Sequence, residues 1–224
     1  MDSLLLLLSG GLDSATCLLW AKKEYKCPIT ALIINYGQRH AVELECAEKI
    51  AQEHADNIVR FQTDILKGIG DSALVSASDV NEKHRGNKEL PASFVPGRNI
   101  LFLTIAAAIA YKQGIKDIMI GANEVDYSGY PDCRRGFIDR MQSALNEGLD
   151  YKLVIHTPLI YMDKKRIIEV GAELGKFDYL RENTHSCYNG VRGTLNDYGY
   201  GCGTCDCCRI RQQAYERYLT GKKG

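Results

Sequence analysis

The feature that most restricts this chain lies at its start. Five consecutive leucines, residues 4–8, run directly into Ser9-Gly10-Gly11-Leu12-Asp13-Ser14, and a helical pattern follows. An apolar run without polar alternation reads as a strand buried on both faces, which requires helices above and below a parallel sheet. The run is too short and its flank too acidic for a signal peptide. Residues 29–34 form a second such strand, and 57–62, 117–120 and 152–156 are weaker candidates. Apolar spacing predicts helices over 14–25, 41–54, 98–112 and 163–174. The third is apolar nearly all round and is expected to be buried. Asp163 is suited to cap the fourth. Alternating strands and helices predict an α/β, Rossmann-like fold, whose ligands bind beyond the carboxyl ends of the strands.

The rest of the composition narrows the function. A chain of 224 residues, 45% apolar and 25% charged, can bury a core without disulfides. Its formal net charge of zero argues against electrostatic capture of nucleic acid. No stretch reaches the ~20 apolar residues of a membrane span. A cytoplasmic enzyme acting on small molecules is expected, with a homodimer as the default assembly. Residues 66–96 are polar, with scattered glycine and proline, and predict a long loop or lid, partly mobile without substrate. Residues 186–208 also read as loop.

The glycine junction carries the first chemistry. Glycines let successive backbone N–H groups converge on an anion, and the helix behind them adds its positive end. Leu8, Ser9, Gly10, Gly11, Leu12, Asp13 and Ser14 are therefore the candidate phosphate-binding residues for ATP, with the Ser9 and Ser14 hydroxyls as donors. Asp13 would repel phosphate unless a cation intervened, so its expected task is to hold Mg²⁺. No lysine follows the glycines, so this is not the G-x-x-x-x-G-K-[ST] loop, nor is it G-x-G-x-x-G. It resembles the loop of the N-type ATP pyrophosphatases, which implies cleavage of ATP between the α- and β-phosphates.

The second chemistry lies near the other end. Five of nine cysteines crowd into residues 187–208. Cys187, Cys202, Cys205 and Cys208 supply four thiolates, the set that a tetrahedral structural Zn²⁺ takes. An iron–sulfur cluster accepts the same set. Cys207 interrupts the even spacing and is expected to stand aside. The predicted division is an ATP-binding α/β domain over 1–180 and, over 181–224, a zinc-binding segment with a C-terminal helix.

Between these ends lie Tyr36-Gly37-Gln38-Arg39-His40, Phe94-Val95-Pro96-Gly97-Arg98-Asn99 and Ser128-Gly129-Tyr130-Pro131-Asp132-Cys133-Arg134. With the glycine loop, Cys187-Tyr188-Asn189 and the final cysteines, they closely resemble the 7-cyano-7-deazaguanine synthase (QueC) family over essentially the whole chain. Leu12 departs from it, standing where many members carry Gln, and residues 189–201 are longer than expected. The resemblance implies an adenine nucleotide alpha hydrolase-like sheet and a carbon–nitrogen ligase of queuosine biosynthesis. Such an enzyme converts 7-carboxy-7-deazaguanine and ammonia to 7-cyano-7-deazaguanine through an adenylate, using ATP, Mg²⁺ and Zn²⁺. It makes Asp13, Arg98 and Asp132 the catalytic candidates. Arg98 would neutralise a phosphate or the substrate carboxylate, with Arg39 a weaker choice, and Asp132 would accept N–H groups of the base. Tyr130 or Phe94 would stack on the base, and Cys133 is not required as a nucleophile. The rival expectations are a variant that stops at the amide, a sulfurtransferase acting on tRNA, and a zinc ribbon without catalysis.

Overall fold

The computed structural model describes residues 1–38, 40–68, 90, 93–125 and 130–221. Most of the loop expected over 66–96, together with Arg39 and residues 126–129, lies outside them. The strands are β1 (Leu4–Leu7), β2 (Ile29–Asn35), β3 (Asn57–Gln62), β4 (Asp117–Ile120) and β5 (Val154–His156). All are parallel, in the order β3-β2-β1-β4-β5. Strand β1 is central, pairing Leu4 with Ile29 on one side and with Asp117 on the other. The chain winds outward through β2 and β3, then crosses back to β4, so strand order reverses between β1 and β4. That reversal opens a crevice at the carboxyl ends of the two strands.

The leucine run divides itself between two cores. Leu4 and Leu6 point to a layer containing Leu18, Ile50 and Ile167, and Leu5 and Leu7 to one containing Leu103, Ala107 and Ile138. Successive strand side chains face opposite ways, which is why this run needs cover on both sides. Each leucine so buried contributes about 1.5–3 kcal/mol. The first layer is covered by α1 (Leu12–Glu24), α2 (Val42–His54), α5 (Lys164–Glu173), α6 (Phe177–Asn183) and α7 (Asp206–Gly221). The second is covered by α3 (Arg98–Gln113) and α4 (Arg135–Leu149).

Most expected elements recur within a residue or two of their predicted ends. Asp163 caps α5, its carboxylate accepting the Arg166 N–H at 2.8 Å. Three readings need correction. Helix α3 is not buried all round: Ile100 and Tyr111 are 47% and 54% exposed, because only one face meets the sheet. Helices α4 and α6 were not anticipated. The stretch 186–208 is not all loop, since it holds a short antiparallel pair, β6 (Leu195–Asn196) and β7 (Gly199–Tyr200), and the start of α7. Helix α7 packs on α5 and sends Ala214 and Tyr218 into the first core. No helix among the described residues is long and apolar enough to cross a membrane.

Candidate active site

The crevice at the strand reversal is a cavity of ≈ 290 Å³. Its floor is the turn after β1. Gly10 has φ +87°, and a Cβ there would overlap the Glu43 carbonyl oxygen and stand 2.7 Å from the Ala47 nitrogen. This glycine therefore serves two needs, a left-handed backbone and close contact with α2. Gly121, at the end of β4, passes the start of α1 so closely that a Cβ would lie 3.0 Å from the Ser14 nitrogen. The two glycines let the α1 N-terminus sit at the mouth of the reversal.

Within the turn, polar atoms satisfy one another loosely. The Ser14 hydroxyl lies 3.1 Å from that of Ser9 and 3.2 Å from the Gly11 carbonyl oxygen. The Gly11 N–H donates to Ser9 Oγ at 3.3 Å, and the Leu12 N–H to Ser186 Oγ at 3.4 Å. These bonds are long and easily exchanged for stronger anion acceptors. Gly11 caps α1 without a side-chain bond, leaving the positive end of the helix open. Leu8, Ser9, Gly11, Leu12, Asp13 and Ser14 all line the cavity. Gly10 supports the turn from behind.

Asp13 is held by a residue that the sequence reading passed over: Lys164 Nζ donates to both carboxylate oxygens at 2.8 Å. Lys164 opens α5 directly after the capping Asp163, so the signal was a helix start rather than a motif. Ser186 was passed over as well. It arrives with His185, whose N–H donates to the Gly10 carbonyl at 3.0 Å, so the cysteine segment seals one side of the loop. Glu43, on the first turn of α2, is a third omission and lines the same wall.

Arg98 enters from the opposite side, at the start of α3. Its guanidinium lies 5.6 Å from the centre of the Tyr130 ring and hydrogen-bonds the Tyr36 side chain. Burial disfavours its charge, but Tyr36, Tyr130, Asp132 and Cys133 more than offset this and hold its pKa above the ordinary value. Tyr130 shares its hydroxyl with Ser93 at 2.6 Å and Tyr188 at 3.3 Å, and its ring lies tilted against Phe94 at 5.8 Å.

Asp132 stands behind this wall. One oxygen accepts the Asn99 N–H at 3.1 Å, which ties the first turn of α3 to the Pro131–Cys133 turn. The other, Oδ1, is buried without a hydrogen-bond partner among the described residues. Cys133 lines the cavity, and burial pushes its thiol up to about 11, which leaves it a poor nucleophile at neutral pH.

The four cysteines converge beside the cavity. The sulfurs of Cys187, Cys202, Cys205 and Cys208 all lie within 4.8 Å of one another, and none is in a disulfide. Around a tetrahedral zinc, sulfurs stand ~3.8 Å apart, so the cluster needs little contraction to take one. The Thr204 and Cys205 N–H groups point at Cys202 Sγ, at 3.4 and 3.3 Å, as they would at a thiolate. Gly201 is obligatory, since a Cβ there would strike Cys208 Sγ. Cys207 is outside the cluster and faces the cavity.

The family model for queuosine biosynthesis protein QueC matches residues 3–219. Curated relatives named 7-cyano-7-deazaguanine synthase include one from Burkholderia multivorans, 42% identical over 99% of this chain and 95% of its own length. Another, from Burkholderia vietnamiensis, is 41% identical over the same shares. Among solved structures, a predicted subunit of tRNA methyltransferase from Methanocaldococcus jannaschii superposes with a TM-score of 0.50 and 17% identity, over 77% of this chain and 75% of that one. This last likeness concerns the fold alone. With a glycine turn at a strand reversal, a half-buried arginine across the cavity and four gathered cysteines, a match along nearly its whole length places the chain in the QueC family.

Proposed function

We propose that this chain is a 7-cyano-7-deazaguanine synthase, an ATP-dependent carbon–nitrogen ligase that converts 7-carboxy-7-deazaguanine and ammonia to the nitrile. The observation that carries the reading is the open N-terminus of α1, set behind Ser9-Gly10-Gly11 in a cavity whose far wall holds Arg98. A carboxylate is a poor electrophile, so attachment of AMP creates a leaving group. Ammonia displaces AMP to give the amide, and a second adenylation, on the amide oxygen, permits its loss as the nitrile forms.

The residues divide this work. The N–H groups of Gly11 and Leu12 and the Ser9 and Ser14 hydroxyls receive the pyrophosphate portion of ATP, exchanging their long internal bonds for charged oxygens. Asp13 binds Mg²⁺, with Lys164 holding the carboxylate in place. When bound, that ion would neutralise phosphate charge. Arg98 receives the substrate carboxylate, and the Tyr130–Phe94 pair offers an aromatic face to the base. Asp132 is buried behind the Tyr130 and Cys133 wall with one oxygen committed to α3, so it would reach an N–H of the base only through Oδ1 and only once that wall shifts.

Residues 181–224 act as a zinc-stabilised wall to the ATP domain of 1–180, with Zn²⁺ on Cys187, Cys202, Cys205 and Cys208. The assembly we assign is a homodimer in the cytoplasm, acting on small molecules without nucleic acid or membrane. Among the described residues, the exposed stripe Ile100, Ala108 and Tyr111 on α3 is the apolar face such a partner would cover.

Mass spectrometry of a reaction containing the carboxylate, ammonium, ATP and Mg²⁺ tests the reading. Nitrile with AMP and pyrophosphate is expected. Amide alone would keep the adenylation and move the protein to an amide-forming variant. Absence of turnover by folded, zinc-loaded protein would overturn the substrate assignment.

A further inference from the structure

The cavity wall contains two acidic side chains among the described residues, Asp13 and Glu43. Asp13 is chelated by Lys164 through both oxygens. Glu43 forms no ion pair among the described residues. Its side chain bonds the Ser9 hydroxyl, and its backbone carbonyl packs against Gly10 so tightly that no Cβ fits between them. The first turn of α2 is thus locked to the phosphate loop, and the carboxylate is fixed on the cavity wall beside Ser9. Apolar side chains Leu32, Ile34 and Phe102 line the same cavity and limit water there.

The reaction leaves a task for such a group. At neutral pH ammonia is almost wholly ammonium, as amines of similar basicity are, and ammonium has no lone pair with which to attack. Resting on the synthase reading above, we propose that Glu43 binds ammonium in the cavity and takes its proton, releasing ammonia beside the adenylate. In this step an N–H bond breaks and its electron pair stays on nitrogen. That pair forms the C–N bond to the acyl carbon, and the C–O bond to AMP breaks with its pair leaving on the phosphate oxygen. The attacking nitrogen then gives up a second proton to AMP or water, and the neutral amide remains. No redox partner is needed.

The environment suits the role. Burial pushes the Glu43 carboxyl up to about 7, against the downward pull of Arg98 on α3 and the Ser9 hydroxyl. The other titratable groups that sense it are Tyr36, at the end of β2, and Cys46, one turn along α2. A base whose pKa lies near the working pH takes and returns protons most effectively.

The test compares two nucleophiles. Hydroxylamine is largely free base at neutral pH and needs no deprotonation before attack. Glu43→Gln should slow turnover with ammonium about 100-fold or more. It should slow adenylate formation, read as ATP–pyrophosphate exchange without ammonia, far less, and hydroxamate formation from hydroxylamine should be largely restored. Equal losses with the two nucleophiles, or an undiminished rate with ammonium, would overturn the proposal. The wild-type protein supplies a test that needs no variant. At fixed total ammonium its rate should level off once Glu43 is ionised, whereas a rate that climbs steadily with the free-base fraction excludes a protein base. Absence of any wild-type adenylate would instead overturn the synthase reading, and this inference with it.

Discussion

The two halves of the cavity are held together by different physics. The floor, from β1 into α1, is fixed by burial: Leu4, Leu5 and Leu6 are fully inaccessible and share their contacts between two cores. The adjoining wall, residues 185–208, has short strands of two residues each and a small cluster of cysteines and tyrosines in place of a deep core. The floor can stand on apolar packing, whereas the wall, on the zinc reading proposed above, would hold together through bonds to a metal. A segment with so small a core buries little surface against its own ordering entropy, and four thiolates on a zinc would supply what burial does not.

Removing the metal should break the contrast most visibly. Chelation of zinc, or Cys208→Ser, should lower the melting temperature by about 10 °C or more and leave less than a tenth of the metal, because α7 also feeds the first core. Metal analysis beside calorimetry checks this. An unchanged melt would mean that the wall is an independent appendage. Gly10→Ala probes the floor. The added Cβ meets α2 in a left-handed backbone, so stability should fall by about 2–4 kcal/mol and AMP release about 100-fold. Chemical denaturation and a nucleotide assay read the two effects separately.

Asp13→Asn sharpens the division further, since the residue belongs to the floor while its partner Lys164 comes from α5. The rate should fall about 30-fold, with a higher Mg²⁺ concentration needed for half-maximal AMP release. An unchanged Mg²⁺ dependence would reduce Asp13 to an ion-pair partner. The smallest effect concerns Glu43. Its folded-state pKa is raised, so the folded protein binds more protons than the unfolded chain between about 4.5 and about 7. The resulting contribution is full below that window and is lost as pH rises through it. Glu43→Gln should therefore raise stability by about 1–2 kcal/mol at pH 8 and leave it nearly unchanged at pH 4.5, as thermal melts at the two pH values would show.

The floor was legible in the sequence because its determinants are local. A leucine run, two glycines and a helical pattern specify a strand, a turn and a helix without reference to distant residues. The cysteine cluster was legible for a similar reason, as spacing alone brings 202, 205 and 208 together. What escaped was non-local. Ser186, Lys164 and Glu43 matter through what they touch across 174, 151 and some thirty residues of chain, and no period or motif marks such contacts. Asp132 carries the same lesson in reverse. Its motif suggested chemistry, yet one oxygen ties the start of α3. Helix α4 was the avoidable omission, because Phe137, Met141, Leu145 and Leu149 recur every four residues and pack on the second core. The flanking glycine and the polar stretch before it masked that stripe.

The hydrogen bond from the His185 N–H to the Gly10 carbonyl has a consequence for biosynthesis. The phosphate turn leaves the ribosome well before the residues that brace it. A nascent chain can assemble the sheet around β1 long before residues 185–211 emerge. Until they do, the turn lacks its seal, and ATP meets an open surface rather than a cavity. Order of synthesis thus sets the order of enclosure: a product truncated before residue 185 carries the loop's sequence but lacks the segment that seals it.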